Sequence, residues 1–343
     1  MRVIAAVLAL SSVSWTQFRT TTQLVVAPTT VTDSKGRFVD GLATADLVLS
    51  DNSVPQAIQM DWMTYPIDLV VAVQTSANSG PVIDKLGDVG ILFSQLLAGN
   101  AGETAMISFS DVVKVHQDFT GDADAVTHSI QMLRMEGGDA HMLDAVRQAL
   151  AMLEKRPAGR RRIILMIAEK RDRGSEARLP DVMAQVQRLN AAVYCVTYSP
   201  FMQPFTVKNK VAEDLKPIAE RAKYSDCHPP TPTWACARPD ETPVPYDPGP
   251  GNPIYAIGEL ARLAQPDLSS LFTETTGGRT LSFLKKDALE KAIQLVSQEV
   301  HRQYILTFEP QASEAGAFHA IQVTVKNNPK LHVTTRSGYW AVQ

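Results

Sequence analysis

The chain is 343 residues long, 45% hydrophobic and 20% charged, with 33 basic residues against 36 acidic ones and a net charge of −3. That length accommodates two or three ordinary domains with a sizeable core, and the balance excludes wholesale disorder. The slight acidic excess argues against a nucleic-acid protein, 3 cysteines are too few for a disulfide-built scaffold, and no internal apolar run is long enough to span a bilayer.

The first residues read as a processing signal. Arg2 is followed by the apolar run Val3 to Leu10 and then by the small residues Ser12 and Ser14. This order predicts a secretory signal over residues 1–14, cut near Ser14, and a mature protein that is secreted or periplasmic. The alternative is a buried terminal strand or helix.

Residues 18–63 carry short β-like runs separated by turns and predict an N-terminal β-module. Gln23 to Val26, Thr29 to Thr32, Phe38-Val39, Leu47 to Leu49 and Ala57 to Met60 are the expected strands, and Asp33-Ser34-Lys35-Gly36 is a tight-turn sequence. From residue 66 to 303 the pattern becomes α/β. Val70 to Val73, Ile163 to Ile167 and Ala191 to Val196 are continuous apolar runs, as expected of parallel strands covered on both faces. Between them, helical spacing links Val126, Ile130 and Leu133, then Leu143, Val146, Leu150 and Leu153, then Val182, Val186 and Leu189. Ala105 to Phe109 and Val112 to Phe119, joined at Ser110-Asp111, predict an antiparallel hairpin at the sheet edge.

Residues 200–253 break this rhythm. They hold 12 of the 21 prolines and predict a long extended insertion. Beyond it come helical turns at Leu260, Leu263, Leu268 and Leu271, a strand from Arg279 to Phe283, and a last helix marked by Leu289, Ile293, Val296 and Val300. Residues 304–343 return to strands: Tyr304 to Phe308, Ile321/Val323/Val325 and Leu331 to Thr335. The expected architecture is a doubly wound, mostly parallel α/β sheet inserted between N- and C-terminal strands that pack together as a β-sandwich-like module.

The catalytic and metal-site patterns are missing. No Gly-rich phosphate loop follows the first parallel strand, and no HExxH, GxSxG or paired CxxC occurs. None of the 7 histidines has metal-ligand spacing to another. The expectation is a non-enzymatic protein. Cys195 lies in an apolar run and reads as a buried thiol. Cys227 and Cys236 flank a short stretch of the Pro-rich insertion, where an oxidising compartment would let them close a disulfide.

In open α/β sheets, ligands bind at the carboxyl ends of the strands. Three polar loops fall there: Gln74 to Ser79, Gly137 to Ala145, and Ala168 to Ser175. With these residues the chain resembles a von Willebrand factor A domain, and more closely the secreted proteins related to it that are common in acidobacteria. Val31 to Gln56 is similar to that group's leading β-module. Thr276-Gly277-Gly278-Arg279, Gln303-Tyr304 and Arg336-Ser337-Gly338-Tyr339-Trp340 are similar to its closing signature. The resemblance implies a protein-binding or adhesion module, in which many such domains hold Mg²⁺ through Asp-x-Ser-x-Ser, a Thr and an Asp from three loops.

This sequence departs from that ligand set. Gln74 stands for the first Asp, Ser76 matches, Asn78 stands for a Ser, Asp139 with Gly138 falls at the Thr loop, and Glu169 replaces the third-loop Asp. Gln and Asn keep an oxygen but no charge. The expectation is therefore a degenerate metal-ion-dependent adhesion site with no cofactor, Mg²⁺ at Ser76, Asn78, Asp139 and Glu169 being the alternative. In the degenerate reading Ser76, Asn78 and Ser79 cap the helix that starts near Pro81. Gln74, Ser76, Asn78, Gly138, Asp139 and Glu169 then line a surface for an envelope or extracellular protein partner. A metal-dependent adhesin and a secreted hydrolase are the competing functions.

Overall fold

The computed structural model describes residues 24–61, 65–76, 79–90, 92–93, 102–198, 267–283, 286–310 and 317–341. The expected signal at 1–14, the whole Pro-rich insertion at 200–253 with Cys227 and Cys236, and Asn78 lie outside them.

The central layer is a six-stranded sheet in the order β10-β9-β8-β5-β6-β7. Its strands are β5 (Ile67–Gln74), β6 (Glu103–Phe109), β7 (Val113–Thr120), β8 (Arg161–Ala168), β9 (Ala192–Tyr198) and β10 (Thr280–Phe283). All neighbours are parallel except β7, which runs back along β6 at the edge. β5 is buried at every position, because apolar side chains on both of its faces meet helices. One face packs against α3 (Met142–Glu154), α4 (Leu179–Arg188) and α5 (Leu268–Thr276). The other packs against α1 (Gly80–Val89), α2 (Ala123–Gln131) and α6 (Lys286–Arg302). The helical stripes read from the sequence are the buried faces: Val126 and Ile130 of α2, and Val146, Leu150 and Leu153 of α3, are all below 3% exposed.

The flanking segments build two four-stranded sheets, ordered β13-β1-β11-β4 and β14-β12-β2-β3. They are formed by β1 (Val25–Thr32), β2 (Leu47–Asp51), β3 (Val54–Pro55), β4 (Gln59–Asp61), β11 (Tyr304–Phe308), β12 (Phe318–Val325), β13 (His332–Thr334) and β14 (Gly338–Trp340). Val25, Ala27 and Val31 of β1 share one core with Leu49, Leu306, Phe308, Val323 and Tyr339.

Several expected elements shift. The two short runs at 23–32 form one strand through Pro28. β1 pairs with β11 from Val25 to Thr29, with Pro28 opposite Ile305, and with β13 from Thr30 to Thr32. Phe38 makes only an isolated bridge to Thr32, because the Asp33 carboxylate accepts the N–H groups of Lys35 and Arg37 and folds the chain into a turn closed by Gly36 at φ +74°. The strand expected from Arg279 begins at Thr280, and that expected from Leu331 begins at His332.

Polar side chains join the sandwich to the α/β layer. Glu299 of α6 is 1% exposed; it pairs with Arg279 at 2.5 Å and accepts the Thr30 hydroxyl of β1 at 3.2 Å. Burial pushes its carboxyl above the usual range, with Arg279 opposing. Gln303 donates to the Tyr194 hydroxyl at 3.0 Å and accepts from Arg161, whose guanidinium also donates to the Val300 carbonyl at 2.9 Å. At the other junction Arg336 is 4% exposed. It donates to the Gly338 carbonyl at 2.6 Å, to the Gln187 carbonyl at 3.1 Å and to the Asn190 side chain.

Cys195 is a free thiol, 1% exposed in β9, and burial pushes its pKa upward. It is expected to resist a maleimide reagent in the native protein and to react only after denaturation. Rapid native labelling at Cys195, located by peptide mapping, would contradict this.

Candidate functional site

The carboxyl ends of β5, β6 and β8 bring three loops together, and backbone contacts fasten them. Thr75 N–H donates to the Phe109 carbonyl at 2.8 Å, Glu136 N–H to the Thr75 carbonyl at 2.7 Å, and Arg173 N–H to the Ala140 carbonyl at 2.8 Å. Two carboxylates finish the work. Asp172 accepts the Leu143 N–H at the start of α3, at 2.9 Å, and the Ser175 hydroxyl at 2.5 Å. Asp144 accepts the N–H groups of Glu176 and Ala177 at 2.9 and 3.0 Å. These charged acceptors satisfy donors that a helix start and a loop would otherwise leave open.

Gln74, Ser76 and Glu169 stand together at the centre. The Gln74 Oε1 accepts the Glu169 N–H at 2.8 Å, and its Nε2 donates to Ser76 Oγ at 2.6 Å. The first bond fixes the amide: only oxygen can face a backbone N–H, so the NH₂ must face the serine. The Glu169 carboxylate is 4% exposed in its side chain and is held by the Arg173 guanidinium at 2.9 Å. Asp139 stands apart and exposed, its N–H donating to the Asp111 carboxylate at 2.5 Å. Gly138 beside it is needed for that approach, since a Cβ there would sit 2.3 Å from Asp111 Oδ1. Among the described residues, Asp139 shares no hydrogen bond or ion pair with Gln74, Ser76 or Glu169.

Ser79 does not cap α1 with its side chain. The N-cap makes no side-chain bond, and the Ser79 hydroxyl instead donates to the Ser76 carbonyl at 2.6 Å, closing the loop on itself. Arg173, Asp111, Asp144 and Asp172 carry no expected site role in the sequence, although Asp111 marks the hairpin turn and Arg171 to Ser175 resembles the family's post-strand loop. The available signal was the alternation of charge in Glu-Lys-Arg-Asp-Arg at 169–173, which places Arg173 four residues after Glu169.

These donors do not fit a hard divalent cation. Mg²⁺ requires converging oxygens with negative charge among them. Here an NH₂ occupies one direction, Gln74 Oε1 is committed to a backbone N–H, and the buried carboxylate already carries a cation of its own. No cluster of three or more His, Cys, Asp or Glu side chains suited to a metal occurs among the described residues.

Residues 69–170, from β5 to the loop after β8, match the family profile described as von Willebrand factor type A domain. The chain contains a von Willebrand factor type A domain. Among solved structures, this VWA chain is similar to the vWF domain of the type V pili tip protein Mfa5 from Porphyromonas gingivalis, at 17% identity and a TM-score of 0.29 over 32% of this chain. It spans 40% of that chain's length. The SpRpn10 VWA domain is similar at 14% identity and a TM-score of 0.33, over 39% of this chain and 76% of that one. An aerotolerance-related membrane protein from Bacteroides fragilis is similar at 12% identity and a TM-score of 0.40, over 68% of this chain and 99% of that one. No curated protein sequence matches the chain. No helix among the described residues is long and apolar enough to cross a membrane.

Proposed function

We propose that this is an exported, non-enzymatic interaction protein whose VWA domain binds an envelope or extracellular protein through the carboxyl-edge loops without a cation. The observation that carries the reading is the closed pair of contacts at the centre of that edge. The Gln74 amide links two loops, and the Arg173 guanidinium neutralises Glu169, so the stabilisation a metal would give is supplied by the chain itself. Backbone and carboxylate hydrogen bonds also join the described parts of these loops, which lowers the ordering cost of binding. Export rests on the Arg2, apolar, small-residue order at the N-terminus. A Ser–His pair does occur, Ser108 Oγ to His116 Nε2 at 2.7 Å, but Ser108 has no exposed surface for a substrate to reach.

Two measurements test this together. Calorimetric titration with Mg²⁺, Mn²⁺ and Ca²⁺ should give no saturable heat, and a saturable heat that disappears in Glu169→Gln would overturn the metal-free reading. A photo-crosslinking amino acid at Asp139 should capture a protein in intact cells, and the adduct should survive EDTA. The same group at Val54, exposed on the sandwich, should not capture it. Adducts lost on chelation, or formed equally from both positions, would defeat the proposal.

A further inference from the structure

Tyr198 ends β9 at the carboxyl edge. It is 3% exposed, and its hydroxyl has no hydrogen-bond partner among the described residues. A buried hydroxyl without a partner costs stability, and in a folded protein it calls for a reason. Packing fixes the ring: Tyr198 lies opposite Phe283 of β10, with the ring centroids 6.1 Å apart, and shares one core with Val73, Ile167 and Val196.

Glu169 stands beside that hydroxyl. β8 and β9 pair in parallel as far as Ala168 opposite Thr197, and one step further along both strands brings Glu169 beside Tyr198. Side chains alternate between the faces of a strand, so Glu169 follows Ile167, and Tyr198 follows Val196, onto the α1 and α6 face. Electrostatics agrees. Burial pushes the Tyr198 hydroxyl's pKa up, the Glu169 charge adds to the rise, and the Arg173 charge opposes it. Glu169 therefore stands between two donors, the Arg173 guanidinium that it accepts from at 2.9 Å and the Tyr198 hydroxyl that it does not.

Arg173 faces outward. Its side chain is 46% exposed, and its Nε and Nη1 make no hydrogen bond among the described residues. The acidic groups beside it in the loop are committed elsewhere: Asp172 to the Leu143 N–H and the Ser175 hydroxyl, and Asp267 to Lys170 at 3.1 Å. A guanidinium with open donors at a binding edge suits an oxyanion, which it can take by two parallel bonds.

We propose that Glu169 is a two-position carboxylate: an oxyanion that binds Arg173 releases Glu169 to the Tyr198 hydroxyl. The exchange replaces one charged pair by another and gives the buried hydroxyl an acceptor, so the bound arrangement leaves fewer groups unsatisfied than the free one. Binding at the exposed rim is thereby answered by a new hydrogen bond inside the edge. This deepens the carboxyl-edge reading, on which the partner carries the oxyanion, but its test needs no partner.

Two measurements on the purified chain decide it. The tyrosine Fermi doublet in ultraviolet resonance Raman spectra reports whether a phenol donates a hydrogen bond, and subtracting the Tyr198→Phe spectrum isolates Tyr198. Tyr198 should read as unbonded in the parent and as a donor in Arg173→Met. Saturating acetate or inorganic phosphate should move the parent signal the same way, and chloride at equal ionic strength should not; whichever acts identifies the oxyanion. Stability should follow. Tyr198→Phe should keep or raise the parent's urea midpoint, because it removes an unbonded hydroxyl, and should lower the midpoint of Arg173→Met, where that hydroxyl serves Glu169. A Tyr198 that already donates in the parent, or that stays unbonded with both oxyanions, would overturn the proposal. So would an equal effect of Tyr198→Phe in the two backgrounds. The Asp139 crosslinks test the loop reading separately: their absence, with both measurements as expected, would remove that reading and leave this one.

Discussion

Gly278→Ala is expected to destabilise the protein by about 3 kcal/mol or more in urea unfolding. An added Cβ would lie 1.9 Å from the Val193 carbonyl oxygen and 2.7 Å from its carbon. Neither atom can yield easily, because Val193 belongs to β9, which is paired with β8 on one side and β10 on the other. Nearby, a Cβ on Gly277 would lie 2.7 Å from the Arg336 backbone nitrogen, and Ser337 N–H donates to the Thr275 carbonyl at 3.0 Å. Truncating Arg336 to Ala should have a similar effect, about 3 kcal/mol, by taking the guanidinium donor from the Gly338 carbonyl and from the side-chain oxygens of Gln187 and Asn190. Arg336→Lys should recover little, since one ammonium cannot reach all of the positions a guanidinium spans. Hydrogen exchange should show β14 losing protection first. A Gly278→Ala protein that unfolds at the parent's urea midpoint would refute the packing argument.

Asp68→Asn should be the other large loss. Asp68 is fully buried at the start of β5, and its Oδ1 accepts from Arg156 Nη2 at 3.0 Å and Arg160 Nε at 2.8 Å. Arg156 also pairs with Glu103 at 2.9 Å and lies over the Phe119 ring, 4.5 Å from its centroid. Its pKa is raised, first by the Asp68 hydrogen bond. Replacing the carboxylate by an isosteric amide keeps the shape but leaves two largely buried guanidinium groups short of charge, a loss of about 3 kcal/mol. Glu103→Gln, on a more exposed carboxylate, should cost less than half of that. Equal losses at the two positions would show that burial does not decide the energetics here.

The Asp68 cluster also shows where sequence reading stops. The stretch from Lys155 to Arg162 is dense in cations and could pass for a basic patch, yet Arg156 and Arg160 face Asp68, Arg161 is drawn to Gln303, and Arg162 donates to the Leu153 and Leu189 carbonyls. What each arginine meets is set by residues far away in the chain. The parallel strands and amphipathic helices were legible, because burial on two faces or one imposes a period on neighbouring residues. The loop positions at Gln74, Ser76 and Glu169 were legible too, since the carboxyl ends of such strands are where loops converge. The orientation of the Gln74 amide was not, for it depends on an N–H 95 residues away. The Thr276–Arg279 and Arg336–Trp340 stretches were conspicuous as text, but only their contact with each other explains why they occur together. Pro28, a breaker by itself, sits inside a strand in register with Ile305 of β11, its carbonyl accepting the Thr335 hydroxyl at 3.1 Å.

The pairing of β1 with β11 has a consequence for how the chain is made. Val25 lies opposite Phe308, so β1 has no β11 partner until synthesis has reached residue 308. Contacts of such sequence separation slow folding, because a long loop must close before they form. During that interval Val25, Val31, Leu47 and Leu49, all core residues of the finished sandwich, have no core to enter. The α/β layer, whose strands β5 and β6 are close in sequence, can assemble first. The sandwich is then the last part to close, and the nascent chain depends until that moment on whatever shields its first strands from aggregation and proteases.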